Sequence, residues 1–252
     1  CVVVIDIAMT ETARQADYIL PAATQYEKGE ATFFNFEFPH NYFHLRKPLF
    51  DAPAGVLTEP EIHARLAEAM GVMPMELCEE LVAILADQGR DAYRDRFFQA
   101  LGEDGSLANL APVILYRTLG PSLPEGAASA ALLWPLAIGY AARESESLAR
   151  AGYTGSPMEQ GDALFDAILA QHSGLIFSSD ETEDSWKRLG NDGKVQLIIP
   201  EMLAELAELA DAPTSLTTSE FPYVLAAGER RDYTANTIYR DDAWRRKDPQ
   251  GA

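Results

Sequence analysis

Apolar and polar positions alternate along this chain in ways that change from one end to the other. Cys1 to Ile5 is an unbroken Val/Ile run that ends at Asp6. A run that is apolar on both faces predicts a central parallel strand buried under helices. Thr10 to Ala16 is helix-like, with Thr10 as a cap and Glu11 where the helix N-terminus favours an acid. Asp17 to Pro21 reads as a second short strand closed by proline. Strand, helix and strand in such quick succession form an α/β pattern.

Residues 25–50 carry Phe33, Phe34, Phe36, Phe38, Tyr42 and Phe43 without a helical period, and read as loop. A helix is expected from Thr58 to Gly71, with Pro60 in its first turn and Ile62, Leu66 and Met70 as its buried stripe. From about 75 to 172 the spacing is helical. Leu77, Leu81, Ile84 and Leu85 form one stripe, Phe97, Phe98 and Leu101 part of another, and glycines punctuate the run. Ala127 to Ala142 is the most apolar stretch. It is broken by Ser129, Pro135 and Gly139 and falls short of the ~18 apolar residues of a membrane span, so it predicts a buried helix kinked at Pro135. Leu175 to Phe177 and Val195 to Ile199 read as short strands, with a turn at Gly190 to Gly193 between them. Glu201 to Ala210 reads as a helix with Met202, Leu203, Leu206 and Leu209 on one side. Residues 211–220 read as a linker and Phe221 to Ala227 as a fresh strand.

Composition narrows the function classes. The chain has 252 residues and a formal charge of −19. A surface that acidic repels phosphate backbones and anionic lipid, so neither nucleic-acid binding nor membrane-surface binding is expected. The two cysteines, Cys1 and Cys78, form no CxxC pair and read as free buried thiols in a reducing cytoplasm. No leader is visible; the chain opens in mid-strand and stops at Gly251-Ala252, so it is expected to be an internal fragment of a longer polypeptide. His40 and His44 have HxxxH spacing, but Pro39 and the surrounding aromatics oppose a helix there, and the pair reads as structural. No nucleophile elbow, Walker loop or G-x-G-x-x-G is present.

Two segments resemble the molybdopterin oxidoreductases of the dimethyl sulfoxide reductase superfamily, which includes formate dehydrogenases and nitrate reductases. The first joins the strand ending at Asp6, T-E-T-A from Thr10, A-D-Y-I-L-P from Ala16, and E-K-G from Glu27 to Gly29. The second is F-P-Y-V-L-A-A-G from Phe221 to Gly228, followed by Glu229, Arg230, Arg231 and, further on, Thr237. Here Ala227 stands where relatives carry a threonine, and the arginine comes one place later. The resemblance implies an α/β fold: part of a Rossmann-like parallel sheet in residues 1–72, a mainly helical region in 73–215, and the start of a C-terminal dinucleotide-binding domain in 216–252. It implies a parent oxidoreductase that carries molybdenum (or tungsten) on two molybdopterin guanine dinucleotides, with room for an iron–sulfur cluster outside these residues. The partners implied are the remainder of the parent polypeptide and an electron-transfer subunit. The isolated fragment is expected to be inactive, with no catalytic residue and no metal ligand of its own.

Site residues follow from the resemblance and from chemistry together. Asp6 closes a strand, where α/β sheets bind ligands, and its carboxylate can accept from a guanine edge or a ribose. The resemblance gives it nucleotide contact, with Ile5 offering its backbone; an Asp that caps its own turn is the plain alternative. Lys28 suits a diphosphate or a guanine oxygen, or is a solvated surface lysine. Glu59 matches an acid that meets guanine in relatives, or simply favours the helix dipole. Ala227, Gly228, Glu229, Arg230, Arg231 and Thr237 read as a loop that approaches and clamps a phosphate. A relative that keeps the fold as a scaffold and has lost the metal, as in the large peripheral subunit of respiratory complex I, is the rival reading.

Overall fold

The computed structural model describes residues 1–32, 38–171, 173–187, 194–211 and 217–224. It is a mixed α/β structure, mostly helical, with one small parallel and one small antiparallel sheet. The chain divides into two compact units, Cys1–Asp180 and Glu181–Ala252.

The first unit opens with β1 (Val3–Asp6), a single helical turn α1 (Glu11–Arg14) and β2 (Tyr18–Pro21). The two strands run parallel, with Val3 opposite Tyr18 and Asp6 opposite Pro21. The Thr10 hydroxyl accepts the backbone N–H of Ala13, the cap expected of it. The Val/Ile run is not buried on both faces, however. Val2 and Val3 are exposed, because α1 is one turn long and buries only Ala13.

Residues 25–50 are not simply loop. They contain β3 (Glu30–Thr32) and β4 (His40–Arg46), which pair antiparallel. β4 also pairs antiparallel with β5 (Leu175–Ser179), so the middle strand of this sheet takes a partner from far along the chain. His40 and His44 therefore lie on a strand, and His40 Nδ1 is 3.0 Å from the Ser179 hydroxyl. Strand periodicity is hidden here because β4 is half-buried on both sides, with only Leu45 fully enclosed.

Six helices lie between the two halves of that sheet: α2 (Glu59–Ala69), α3 (Met75–Gln88), α4 (Arg90–Glu103), α5 (Ala111–Thr118), α6 (Leu133–Arg150) and α7 (Pro157–Ala170). α2 starts after Thr58 with proline in its first turn, as expected, but Thr58 makes no side-chain cap bond. Its buried residues are Ile62, Ala64 and Ala67, whereas Leu66 is 42% and Met70 73% exposed. Alanines let α2 approach its neighbours closely, and that face wins over the bulkier stripe. α7 begins with a complete capping box between Ser156 and Glu159.

The apolar stretch from Ala127 forms a one-turn 3-10 segment (Ala128–Leu132) and then α6. Its residues Ala131, Trp134 and Ala141 are fully buried. Pro135 causes no kink. It sits in the first turn of α6, where a missing N–H costs nothing. The break in α6 is at Glu144, whose backbone leaves helical geometry. One apolar core unites this unit, running from Leu45 of β4 and Ala67 of α2 through Leu81, Phe97, Ile114 and Trp134 to Phe165 of α7. Tyr93 and Phe97 stack within it, and Tyr93 leans on Trp134. Cys78 is buried and Cys1 exposed; both are free.

In the second unit α8 (Thr182–Lys187) and α9 (Pro200–Glu208) are helical, and α9 runs on into a 3-10 turn at Leu209–Asp211. Val195 to Ile199 forms no strand and is exposed. A β-rich composition alone does not make a strand without a pairing partner. Met202, Leu203, Leu206 and Leu209 stay exposed on α9. Phe221 to Val224 likewise form no strand; a turn in which Thr218 and Phe221 exchange hydrogen bonds precedes them. The turn expected at Gly190 to Gly193 lies outside the described residues. Among those residues no helix is long and apolar enough to cross a membrane.

Candidate functional site

Asp6 ends β1 with its carboxylate turned onto its own chain. Its Oδ1 accepts the backbone N–H groups of Ile7 at 2.7 Å and Ala8 at 3.3 Å. Its carbonyl accepts from Ala22 at 3.1 Å. The short polar side chain thus caps the turn that leads from β1 to α1. Ile5 is held in the strand ladder opposite Leu20.

Lys28 and Glu59 lie 31 residues apart in sequence and meet in space. The Lys28 ammonium donates to both carboxylate oxygens of Glu59, at 2.6 and 2.7 Å. The lysine side chain is 18% exposed and the glutamate 38%. Lys28 is therefore not a solvated surface lysine. An ammonium has three donors, so this pairing engages two of them.

Local structure places each partner. Glu27 accepts the Thr24 backbone N–H at 2.8 Å, and the Glu27 N–H returns to the Thr24 carbonyl at 3.0 Å. That tight turn aims Lys28. Gly29 follows because nothing larger fits: a β-carbon there would stand 2.7 Å from the carbonyl oxygen of Gly126. Gly126 has φ +78°, a conformation that favours glycine, and packs against the Pro48 ring. Glu59 is the first residue of α2, where a carboxylate also meets the positive end of the helix.

The pair stands in the wall of a cavity of about 570 Å³. Leu45, Pro48, Pro60, Leu133 and Leu136 supply apolar walls, and Tyr116 a hydroxyl-bearing one. Of the charged residues that line it, Glu27, Glu30 and Glu59 are acidic and Lys28 is basic. Ile5 and Asp6 do not line it. Ala227, Gly228, Glu229, Arg230, Arg231 and Thr237 lie outside the described residues.

Behind the cavity wall is a network that sequence reasoning missed. Glu61 accepts from Arg65 at 2.7 Å, from Arg117 at 2.6 Å and from the Tyr116 hydroxyl at 3.1 Å. Burial, the largest single influence on Glu61, pushes its pKa up, yet the hydrogen bonds from Arg65 and Arg117 outweigh it and hold the carboxyl below its ordinary value. Arg117 also holds Glu68, at 2.6 Å. The i,i+4 spacing of Glu61 and Arg65 was legible; the link to Arg117, 56 residues away, left no local trace. Among the described residues no cluster of three metal-ligating side chains occurs.

Comparison with known proteins bears on the first part of the chain. Residues 1–69 match the family model described as Molybdopterin oxidoreductase. The chain is 37% identical over 75 residues to the probable oxidoreductase YoaE of Bacillus subtilis, an alignment covering 30% of this chain and 11% of that protein. It is 36% identical over 110 residues to the F420-dependent formate dehydrogenase 2 subunit alpha of Methanococcus maripaludis, covering 41% of this chain and 15% of that one. The aligned parts are thus a small share of either relative. No solved structure matches the chain. Asp6, Lys28 and Glu59 all fall within the matched residues 1–69.

Proposed function

Because this chain belongs to the molybdopterin oxidoreductase family, we propose that it supplies part of the cofactor-binding framework of a formate dehydrogenase-like oxidoreductase with molybdenum (or tungsten) on two pterin guanine dinucleotides. The observation that carries this reading is the coincidence of the matched segment with a built cavity. Lys28 and Glu59, to which the resemblance gives cofactor contact, stand in the wall of that cavity.

The fit can be tested against the side chains present. A volume of about 570 Å³ is on the scale of a small-molecule site. A lysine donor beside a glutamate acceptor matches the guanine edge, which offers one carbonyl oxygen and adjacent N–H donors. The excess of carboxylates in the lining opposes a diphosphate. Lys28 and Glu59 would therefore hold a guanine or its ribose. For the diphosphate the resemblance offers Arg230 and Arg231, with Ala227, Gly228, Glu229 and Thr237 beside them in the sequence. Asp6 and Ile5 would meet the nucleotide at the end of β1. When bound, the cofactor supplies the redox chemistry, and the protein positions it and excludes water. Residues 1–72, 73–215 and 216–252 would then be parts of a Rossmann-like domain, a helical region and a C-terminal dinucleotide-binding domain.

A second reading has an observation in its favour. Lys28 and Glu59 satisfy each other, and Asp6 caps its own turn, so all three have structural work without a ligand. A scaffold relative that has lost the metal would keep them for that reason. Metal and pterin analysis of the full-length polypeptide, made in a host that assembles the cofactor, separates the two. Molybdenum or tungsten with about two pterin guanine dinucleotides per chain supports the oxidoreductase reading. A folded protein with neither overturns it in favour of the scaffold.

A further inference from the structure

We infer that Arg117 is a positioning residue for the Lys28–Glu59 pair, acting through α2. The inference rests on the reading above only in giving that pair a ligand; the positioning itself is a matter of geometry.

Packing anchors α2 only weakly. Its buried face consists of one isoleucine and two alanines. Alanines permit close approach but interdigitate little, so they leave a helix poorly fixed against rotation and sliding. Polar contacts must supply what side-chain interlock does not. The Arg117 guanidinium donates to Glu61 at 2.6 and 3.4 Å and to Glu68 at 2.6 and 3.2 Å. Those two carboxylates are seven residues apart, about two turns of helix. A rigid planar fork that grips both fixes α2 in rotation and in height at once. Arg65 cannot do this, because it lies on α2 itself.

The grip reaches the cavity on both sides. Glu59 and Glu61 share the first turn of α2, so holding Glu61 holds the backbone that carries Glu59. Tyr116, the neighbour of Arg117 on α5, donates its hydroxyl to Glu61 and lines the cavity. One two-residue step on α5 thus sets both a cavity wall and the helix start opposite Lys28. Without Arg117, Glu61 keeps only a partner on its own helix and the longer bond from Tyr116. The Glu59 carboxylate is then no longer held at 2.6 Å from the ammonium.

The test reads Lys28 directly. The 252-residue chain is labelled with an amine acetylating reagent, and the rate at each lysine is followed by mass spectrometry. Lys47 and Lys194 serve as internal references. Glu59→Gln, which removes the carboxylate, calibrates the response. We expect Arg117→Met to raise the Lys28 rate by about five-fold, with the references unchanged, as for the loss of a charge-assisted clamp on a part-exposed pair. Glu68→Gln, which removes half the grip and little else, should give a smaller rise, and Arg117→Lys should fall between. Thermal melts establish that each variant is folded. An unchanged Lys28 rate in Arg117→Met, alongside a raised rate in Glu59→Gln, would overturn the inference. So would a rise shared equally by Lys47 and Lys194, which marks general loosening, or no response even to Glu59→Gln, which denies the ion pair. Guanosine, which carries the base and ribose without a diphosphate, is added in a separate arm. Protection of Lys28 by guanosine supports the cofactor reading, and its absence counts against that reading while the Arg117 result stands.

Discussion

Gly161 of α7 lies against the backbone of Ile138 in α6, so close that a β-carbon on the glycine would stand 2.6 Å from the Ile138 Cα. The two longest buried faces of the first unit therefore meet main chain to main chain. Both residues are enclosed, and Leu164, Phe165 and Ile168 continue the contact along α7. Gly161→Ala must push the helices apart or bend one of them. The expected cost is about 1–3 kcal/mol, the usual range for overpacking. Equilibrium denaturation checks this, and a neutral or stabilising alanine would show that the helices are not in such close contact in solution.

A similar constraint operates beside the cavity, and its two members should differ. Alanine at Gly29 clashes with the Gly126 carbonyl oxygen, at 2.7 Å, whereas alanine at Gly126 meets the Pro48 ring at 2.8 Å and must also adopt φ +78°. The second substitution adds a left-handed conformation worth roughly 1–2 kcal/mol to the steric clash. Gly126→Ala is accordingly expected to be the more destabilising of the two. Parallel urea titrations of both variants would expose the opposite order.

Tyr93 supplies an alkaline signature. Its hydroxyl lies 2.6 Å from that of Thr118, which in turn donates to the Ile114 carbonyl. Burial pushes the Tyr93 pKa up to about 12, against the opposing pull of the Thr118 hydrogen bond. The unfolded chain, with a tyrosine pKa of about 10, loses this proton first. Stability is thus intact below about pH 10 and is lost as pH rises toward the folded value. Tyr93→Phe should cost about 0.5–1.5 kcal/mol at neutral pH through the lost hydrogen bond. The gap between wild type and variant should narrow as the solution becomes strongly alkaline. A gap independent of pH would refute the assignment.

Glu61 supplies the acid counterpart, with the opposite sign. Its carboxyl is held below the ordinary value in the folded chain, so the unfolded state takes up the proton first as pH falls. The contribution is complete above the ordinary glutamate value of about 4.3 and disappears as pH drops through the lowered one. Glu61→Gln, which cannot titrate, should be less stable than wild type at neutral pH and approach it in acid. Stability curves that run parallel across that window would rule out the network as their source.

What could be read in the sequence depended on how local its cause was. The Thr10 cap, the proline in the first turn of α2 and the stripe around Leu81 are set by neighbours within a turn or two, and all were visible. Leu66 and Met70 misled because a helix that packs through alanines hides its true inner face from a count of large side chains. β3 and β4 looked like loop, since the partner that makes β4 the middle strand arrives only at Leu175. Val195 to Ile199 has the residues of a strand and nothing to pair with among the described residues. At the candidate site, the resemblance around Glu27 to Gly29 points to Lys28, and the acid that relatives carry near the start of α2 points to Glu59. That each answers the other is a tertiary fact, with no trace at short range.

The pairing of β4 with β5 also has a meaning in time. His40 and Ser179 touch across 139 positions of sequence, with six helices between them. During synthesis at roughly 5–20 residues per second, β4 leaves the ribosome many seconds before its partner exists. The helices that follow can assemble from neighbours as they emerge, but the strand must wait with its edge open. A nascent chain stalled before Leu175 should therefore hold its helical cluster while β4 remains a target for chaperones, and release from them should coincide with the emergence of β5.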